Sequence, residues 1–210
     1  MLTPHRRFTA GLRFAWNVTL LLLLSVGCSR KEVPYQPVAE AEPVEPFERY
    51  EQVVLTQSEQ DELLRAVRTV LGHPYVWGGD TVTNGFDCSG LIQWAYRELG
   101  VHQFRNGEAV YPEIAAHELY QYNTLPLDDI HAARTGDFVF FDVNGDGRIT
   151  HNALLDHVDE RGQVWVYDAY SVAGAVVHRT VEDFWNKGPR FGRPLKTIPR
   201  SSAQAIDAPP

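Results

Sequence analysis

Positive charge is scarce in this 210-residue chain: 19 Lys and Arg stand against 27 Asp and Glu, a formal net charge of −8. A surface of that sign does not coat phosphate backbones, which excludes nucleic acid as the expected partner. Long apolar runs are missing too. The longest, Val18–Leu24, is too short to span a bilayer with confidence. There is no internal repeat and no sign of a second globular domain. Cysteine is nearly absent, with two residues, Cys28 and Cys88.

The ends of the chain differ in composition from its middle. Arg6, Arg7 and Arg13 precede the apolar run, and Ser25-Val26-Gly27-Cys28 follows it. A basic start, a short apolar stretch and small residues before a cut site describe a secretory signal over 1–27. Gly27-Cys28 resembles a bacterial lipobox, which implies that Cys28 is diacylated and becomes the mature N-terminus. Ser29 after it is not the Asp of an inner-membrane retention signal, so an outer-membrane lipoprotein facing the periplasm is expected if the source is Gram-negative. The excised segment holds three Arg and no acid, so the charge of −8 becomes −11. Residues 28–50 mix Pro34, Pro37, Pro43 and Pro46 with Glu32, Glu40, Glu42 and Glu45. Such a segment buries too little apolar surface to offset its ordering entropy and reads as an extended tether. A disordered tail is expected over 199–210. One domain, residues 51–198, remains, and about 150 residues suffice for a single core.

Within that domain, Ser58 and Asp61 predict a capping-box start for a first helix with Leu63, Leu64, Val67, Val70 and Leu71 on one face. Gly72 and Pro74 end it. A second helix begins at Cys88 or Ser89, shows Leu91, Ile92, Ala95 and Leu99 on its apolar face, and stops at Gly100. Residues 101–134 read as irregular, with a short helix around Glu113–Tyr120. Strands are expected at Asp137–Val143, His151–Val158, Val164–Tyr170 and Val176–Val181, an antiparallel meander. Helices first and strands after give an α+β fold.

The stretch GFDCSGLIQWAY places Cys88 where the second helix begins. With Cys28 lipidated, Cys88 has no partner for an internal disulfide, and a lone thiol in an oxidising compartment is a liability unless it has a role. A thiol in the first helical turn sits near orphan N–H groups and the positive end of the dipole, which favour the attacking thiolate. The same N–H groups suit an oxyanion. Such a nucleophile needs a base. Of the eight His, His151 opens a strand, and His157, an even number of residues on, is expected on the same face. Spacing alone does not choose among them.

Three segments, YVWGG…FDCSGLIQWAY, TGDFVFF and ITHNALLDHV, resemble the NlpC-type bacterial cell-wall cysteine peptidases, over about residues 58–185. The resemblance implies a papain-like fold in which the Cys-bearing helix packs on an antiparallel sheet. It implies Cys88 as nucleophile and His151 as base. The third, orienting position falls on Asp168 in VYDAYS, where a His is commoner; a carboxylate there also fixes the imidazole tautomer. Next in line for that role is His178. Tyr75 is expected beside the nucleophile, Trp77 in core packing. Asp87 and Ser89 match residues that hold a stem-peptide amine in relatives, with helix capping as the competing reading. Asn152 departs from the family's apolar residue.

The implied activity is a peptidoglycan hydrolase that cleaves stem peptides, with the γ-D-glutamyl to diamino-acid bond as the expected target. An N-acetylmuramoyl-L-alanine amidase of related fold and a non-catalytic envelope binding lipoprotein are the alternatives. The expected partners are murein stem peptides and, through Cys28, a membrane. The thiol chemistry requires no cofactor. DVNGDGRIT offers Asp142, Asn144 and Asp146 as a calcium-loop half, but Ala153 stands where the bidentate Glu belongs. A structural calcium and a plain polar hairpin are both open at that turn.

Overall fold

The computed structural model describes residues 45–201, with 183–185 as backbone only. The expected signal, Cys28, most of the tether and most of the tail lie outside the described residues. In chain order the elements are β1 (Glu45–Pro46), β2 (Tyr50–Val54), α1 (Gln57–Thr69), β3 (Asp80–Thr81), β4 (Gly85–Phe86), α2 (Cys88–Glu98), β5 (Phe104–Asn106), β6 (Ala109–Tyr111), α3 (Ala116–Tyr122), β7 (Thr124–Leu127), β8 (Phe138–Phe141), β9 (His151–Val158), β10 (Val164–Tyr170), β11 (Ala175–Thr180) and β12 (Arg190–Pro199). The principal sheet runs β11-β10-β9-β8-β12-β2, with β7 also on β12, and every pairing is antiparallel. The α+β class and the meander β8 to β11 are as expected from the sequence.

Helix α1 is capped by Thr56 and Glu59, not by Ser58 and Asp61. Both pairs have the same spacing. Glu59 reaches back to the Thr56 N–H at 2.9 Å, whereas Asp61 accepts from Gln57 Nε2 at 2.9 Å. Leu63, Leu64, Val67 and Val70 are buried and Leu71 is exposed, because α1 ends at Thr69 and Leu71 lies in the following turn. Helix α2 buries Leu91, Ile92, Ala95 and Tyr96 and packs on α1, β9 and β10, with Tyr96 edge-on to Phe104 and donating to the Leu195 carbonyl at 3.0 Å. At about 1.5–3 kcal/mol for each large side chain, that face holds α2 to the sheet. Both faces of β8 are covered, which explains its unbroken apolar run FVFF. Phe138 and Phe140 join the core under the helices, while Val139 and Phe141 join a second cluster with Leu155, Val166 and Phe191.

Gly136 and Asp137 form the joint between helix and sheet. Gly136 has φ +87°, and a Cβ there would lie 2.5 Å from Gln60 Cβ. Asp137, fully buried, accepts from Gln60 Nε2 at 2.7 Å and from Arg193 Nη2 at 3.1 Å, so α1, β8 and β12 meet on one carboxylate.

Two further expectations fail. The expected tether 28–50 ends too late, since Glu45 and Pro46 pair with β6 and Tyr50 starts β2. His157 does not share a face with His151. The register between β9 and β10 slips between Trp165 and Val166: His157 faces Trp165 and Leu155 faces Val166, so Asp156 is an extra, bulged residue. A bulge breaks the two-residue alternation. His157 therefore lies on the side of Leu154 and Tyr167, while His151 lies opposite Phe141 on the other.

Candidate active site

Cys88 is the first residue of α2, and Asp87 caps it. Asp87 Oδ1 accepts from the Gly90 N–H at 2.7 Å and from Ser89 Oγ at 3.0 Å; Oδ2 accepts from the Gly78 N–H at 2.9 Å. One carboxylate thus fixes the helix start and the loop before it. Gly90 permits that approach: a Cβ there would lie 2.1 Å from Gly79 O. The first-turn N–H groups of Cys88 and Ser89 have no acceptor within the helix. The Cys88 thiol is half-buried, packed against the core and in no disulfide.

His151 Nε2 donates to Asp168 Oδ2 at 2.8 Å, which leaves Nδ1 for Cys88, the second hydrogen-bond partner of this imidazole. Burial disfavours the imidazolium, but the bonds to Asp168 and Cys88 and the charges of both outweigh it and raise its pKa to about 9. The ring stacks on Phe141, at 5.9 Å between centroids. Asp168 has no exposed side-chain surface and is forked by Arg179, whose Nη2 lies 2.9 Å from Oδ2 and Nε 3.2 Å from Oδ1. Arg179 in turn lies 3.8 Å over the Tyr170 ring.

Asn152 Nδ2 donates to the Cys88 carbonyl at 2.9 Å and ties β9 to the start of α2, while its Oδ1 is buried without a hydrogen-bond partner. The Tyr75 phenol is pushed up to about 12 by burial and by the charges of Cys88 and Asp87, so it stands protonated beside the thiol.

The structure therefore brings Cys88, His151 and Asp168 together, with Tyr75 beside them and Asp87 and Ser89 at the cap. Sequence reasoning missed Arg179 and the role of Asn152. Only the alternation of β11 against β10 carried a signal for Arg179, since it pairs in register with Val166, two residues from Asp168. His178 is elsewhere, bonded to Asp156 at 3.0 Å. Trp77 is 70% exposed rather than in the core. In the turn after β8, Asp142 accepts from the N–H groups of Gly145 and Gly147, both at 2.7 Å, and Asp146 from that of Arg148 at 2.9 Å. These carboxylates brace the turn itself.

A helix that presents its first-turn thiol to an imidazole on a neighbouring antiparallel strand places the domain in the papain-like class. More narrowly, the chain belongs to the NlpC/P60 family, whose sequence model matches residues 72–189, more than half its length. Among curated proteins it is 39% identical over 74 residues to "Probable endopeptidase YafL" of Escherichia coli K12, covering 35% of this chain and 26% of that one. It is 33% identical over 81 residues to "Murein DD-endopeptidase MepH" of the same organism, covering 39% and 27%. The chain thus spans about a quarter of the length of these relatives. An NlpC/P60 family protein from Bacillus cereus shares the fold, with a TM-score of 0.50 and 20% identity over 67% of this chain and 40% of that one.

Proposed function

We propose that this protein is a cysteine peptidase that cleaves stem peptides of peptidoglycan in the cell envelope. The observation that carries the reading is the imidazole of His151, held between Cys88 and the buried carboxylate of Asp168. In the proposed reaction Cys88 Sγ attacks the scissile carbonyl as a thiolate paired with imidazolium. The N–H groups of the first α2 turn stabilise the oxyanion. His151 then gives its Nδ1 proton to the leaving amine, and a water, deprotonated by His151, releases the acid from the thioester. Asp168 keeps Nε2–H pointed at itself and so keeps Nδ1 toward sulfur. Tyr75, protonated across the working range, supplies a hydroxyl donor beside the reacting atoms.

Asp87 has three donors on its two oxygens, so of roughly four acceptor sites one remains for a substrate ammonium, with Ser89 next to it. That geometry supports cleavage close to a free stem-peptide amine, at the γ-D-glutamyl to diamino-acid bond. The similarity to a murein DD-endopeptidase favours a second reading, in which the crosslink is cut. Anchoring through Cys28 rests on the basic, apolar and small-residue order of residues 6–28. No helix among the described residues is long and apolar enough to cross a membrane.

Digestion of purified sacculi, read by mass spectrometry, tests the reading. Cleavage within stem peptides by the wild type and none by Cys88→Ala is the expected result, and the fragment masses distinguish the two bonds. Release of whole stem peptides from glycan would make the protein an amidase. Equal digestion by Cys88→Ala would end the cysteine-peptidase proposal.

A further inference from the structure

The Asp156 bulge does more than flip the phase of β9. It sets two consecutive residues, Asp156 and His157, beside His178 of β11, across β10. Asp156 Oδ2 lies 2.8 Å from His157 Nδ1 and 3.0 Å from His178 Nε2. All three potential ligand atoms lie within 4.8 Å of one another, the one such grouping among the described residues. We propose that Asp156, His157 and His178 form a surface site for a late first-row divalent cation, Zn²⁺ above all.

The chemistry of the donors fits that class of ion. Two neutral imidazoles and one carboxylate are a borderline N₂O set that suits zinc and leaves a fourth position for water. Ligands ~2.0–2.2 Å from zinc at tetrahedral angles are roughly 3.3 Å apart, so Oδ2 opens by a few tenths of an ångström from each imidazole while the two ring nitrogens, within 4.8 Å of each other, settle to that separation. The cation takes the place of the two N–H protons that now bridge these rings to Oδ2.

The surroundings hold each ligand in place. Arg68 Nη2 occupies the other carboxylate oxygen, Oδ1, at 2.9 Å, which leaves Oδ2 as a monodentate donor. Arg68 Nε donates to the Tyr167 hydroxyl at 2.9 Å. Tyr167 stacks on the His178 ring at 4.3 Å between centroids, and Trp165 lies parallel to His157 within 5°. Partners of this kind, which touch the ligands and not the ion, commonly decide affinity. The imidazoles are partly exposed, 49% for His157 and 31% for His178, so the site is open to solution. An ion bound here ties β9 to β11, the strands that carry His151 and Arg179.

Titration calorimetry with ZnCl₂ tests the proposal, in a Cys88→Ala background so that the thiol cannot capture the metal. One ion per chain with micromolar or tighter affinity is expected, together with a rise in Tm. His157→Gln, at an exposed position, and His178→Gln should each weaken binding by roughly tenfold or more. Both variants are checked for folding by circular dichroism. MgCl₂ at the same concentration should leave Tm unchanged. Absence of stoichiometric Zn²⁺ uptake, uptake undiminished in His157→Gln, or an equal rise in Tm with MgCl₂ would each overturn the site.

Discussion

Arg179 grips the Asp168 carboxylate through a fork, Nη2 to Oδ2 at 2.9 Å and Nε to Oδ1 at 3.2 Å, so the carboxylate bonded to the His151 imidazole is itself oriented. Its side chain is 14% exposed and that of Asp168 not at all. Removal of one partner from a buried pair leaves an uncompensated charge. Arg179→Met should therefore lower kcat by about tenfold or more, with KM little changed, since the change is transmitted through Asp168. Without the guanidinium beside it, a carboxylate that stays ionised pulls harder on the imidazolium, so the alkaline limb of the pH–rate profile should move up. Arg179→Lys keeps the charge but not the planar fork and should recover only part of the rate. Kinetics on a purified muropeptide decide this; a rate for Arg179→Met within a few-fold of wild type, with an unmoved profile, assigns Arg179 a structural role alone.

Asp168→Asn presents an amide that can stabilise the wrong tautomer, and turnover should fall on the order of a hundredfold or more, by analogy with the serine-triad loss of ~10⁴. Asp168→His restores an acceptor, but it sets a neutral ring against a buried guanidinium. Arg179 turns that substitution into a poor rescue by itself. Recovery is expected in the double variant Asp168→His/Arg179→Gln, where no charge is orphaned. Near-normal turnover by Asp168→Asn, with circular dichroism unchanged, would remove Asp168 from the machinery.

The two helices and the four strands of the meander were legible because each rests on local signals, helical periodicity and β-branched and aromatic runs, whereas the meeting of Cys88, His151 and Asp168 was legible only through the resemblance of three segments to a known family. What was missed depends on partners far along the chain. β12 carries Pro194 and Pro199 and shows no clean alternation, so it does not read as a strand, yet it lies between β8 and β2. The prolines are tolerated because Pro194 stands where β12 changes partner, from β7 and β8 to β2, and Pro199 ends it. β5 and β6 are three residues each and too short to show a period. The bulge at Asp156 is invisible for a different reason: alternation assumes an unbroken ladder. Asp137 and Arg193 are 56 residues apart, and nothing local announces their pairing.

Titration of His151 sets two pH dependences. Its folded-state pKa, about 9, lies above the ~6.5 of an unfolded imidazole. A group with a raised folded value contributes its full stabilisation below ~6.5 and loses it as pH rises through about 9. Wild-type Tm should fall across that window by more than the Tm of His151→Gln does. The acylation rate should fall on the same alkaline limb, because the ion pair loses its imidazolium. Parallel Tm curves for the two proteins would show that His151 is not protonated in this range.

Asn152 gives a sharper test of competing terms. Its Nδ2 bond to the Cys88 carbonyl is worth about 1 kcal/mol, but its buried, unpartnered Oδ1 costs about 1–3. The carbonyl belongs to a helix residue and keeps a helical N–H as partner. Asn152→Val, which restores an apolar side chain, should therefore leave stability unchanged or raise it. For a domain of this size 1 kcal/mol corresponds to roughly 2–4 °C in Tm. Turnover should nevertheless drop, since the bond that sets β9 against the start of α2 is lost. A fall in Tm by several degrees would show that the single hydrogen bond outweighs the orphaned oxygen.

Gly90 is the position where a single methyl should do most harm. A Cβ there lies 2.1 Å from the Gly79 carbonyl oxygen and 3.0 Å from Asp80 Cα, so it strikes backbone that no rotamer change can clear. The loop it strikes cannot simply back away. Gly79 O accepts the Asp87 N–H at 2.8 Å, and Gly78 N–H donates to the Asp87 carboxylate. Displacing residues 78–80 therefore displaces the cap of α2 and, with it, the first-turn N–H groups and Cys88. Gly90→Ala should lower stability by about 1–3 kcal/mol, the cost of overpacking, and lower turnover by more than that loss of fold explains. Ser89→Ala is the control at the next residue: it removes one donor from Asp87 Oδ1 and leaves the loop where it is. Denaturant titration and muropeptide kinetics on both variants check the pair. If Gly90→Ala retains wild-type turnover, the contact between the loop at 79–80 and α2 does not set the position of Cys88.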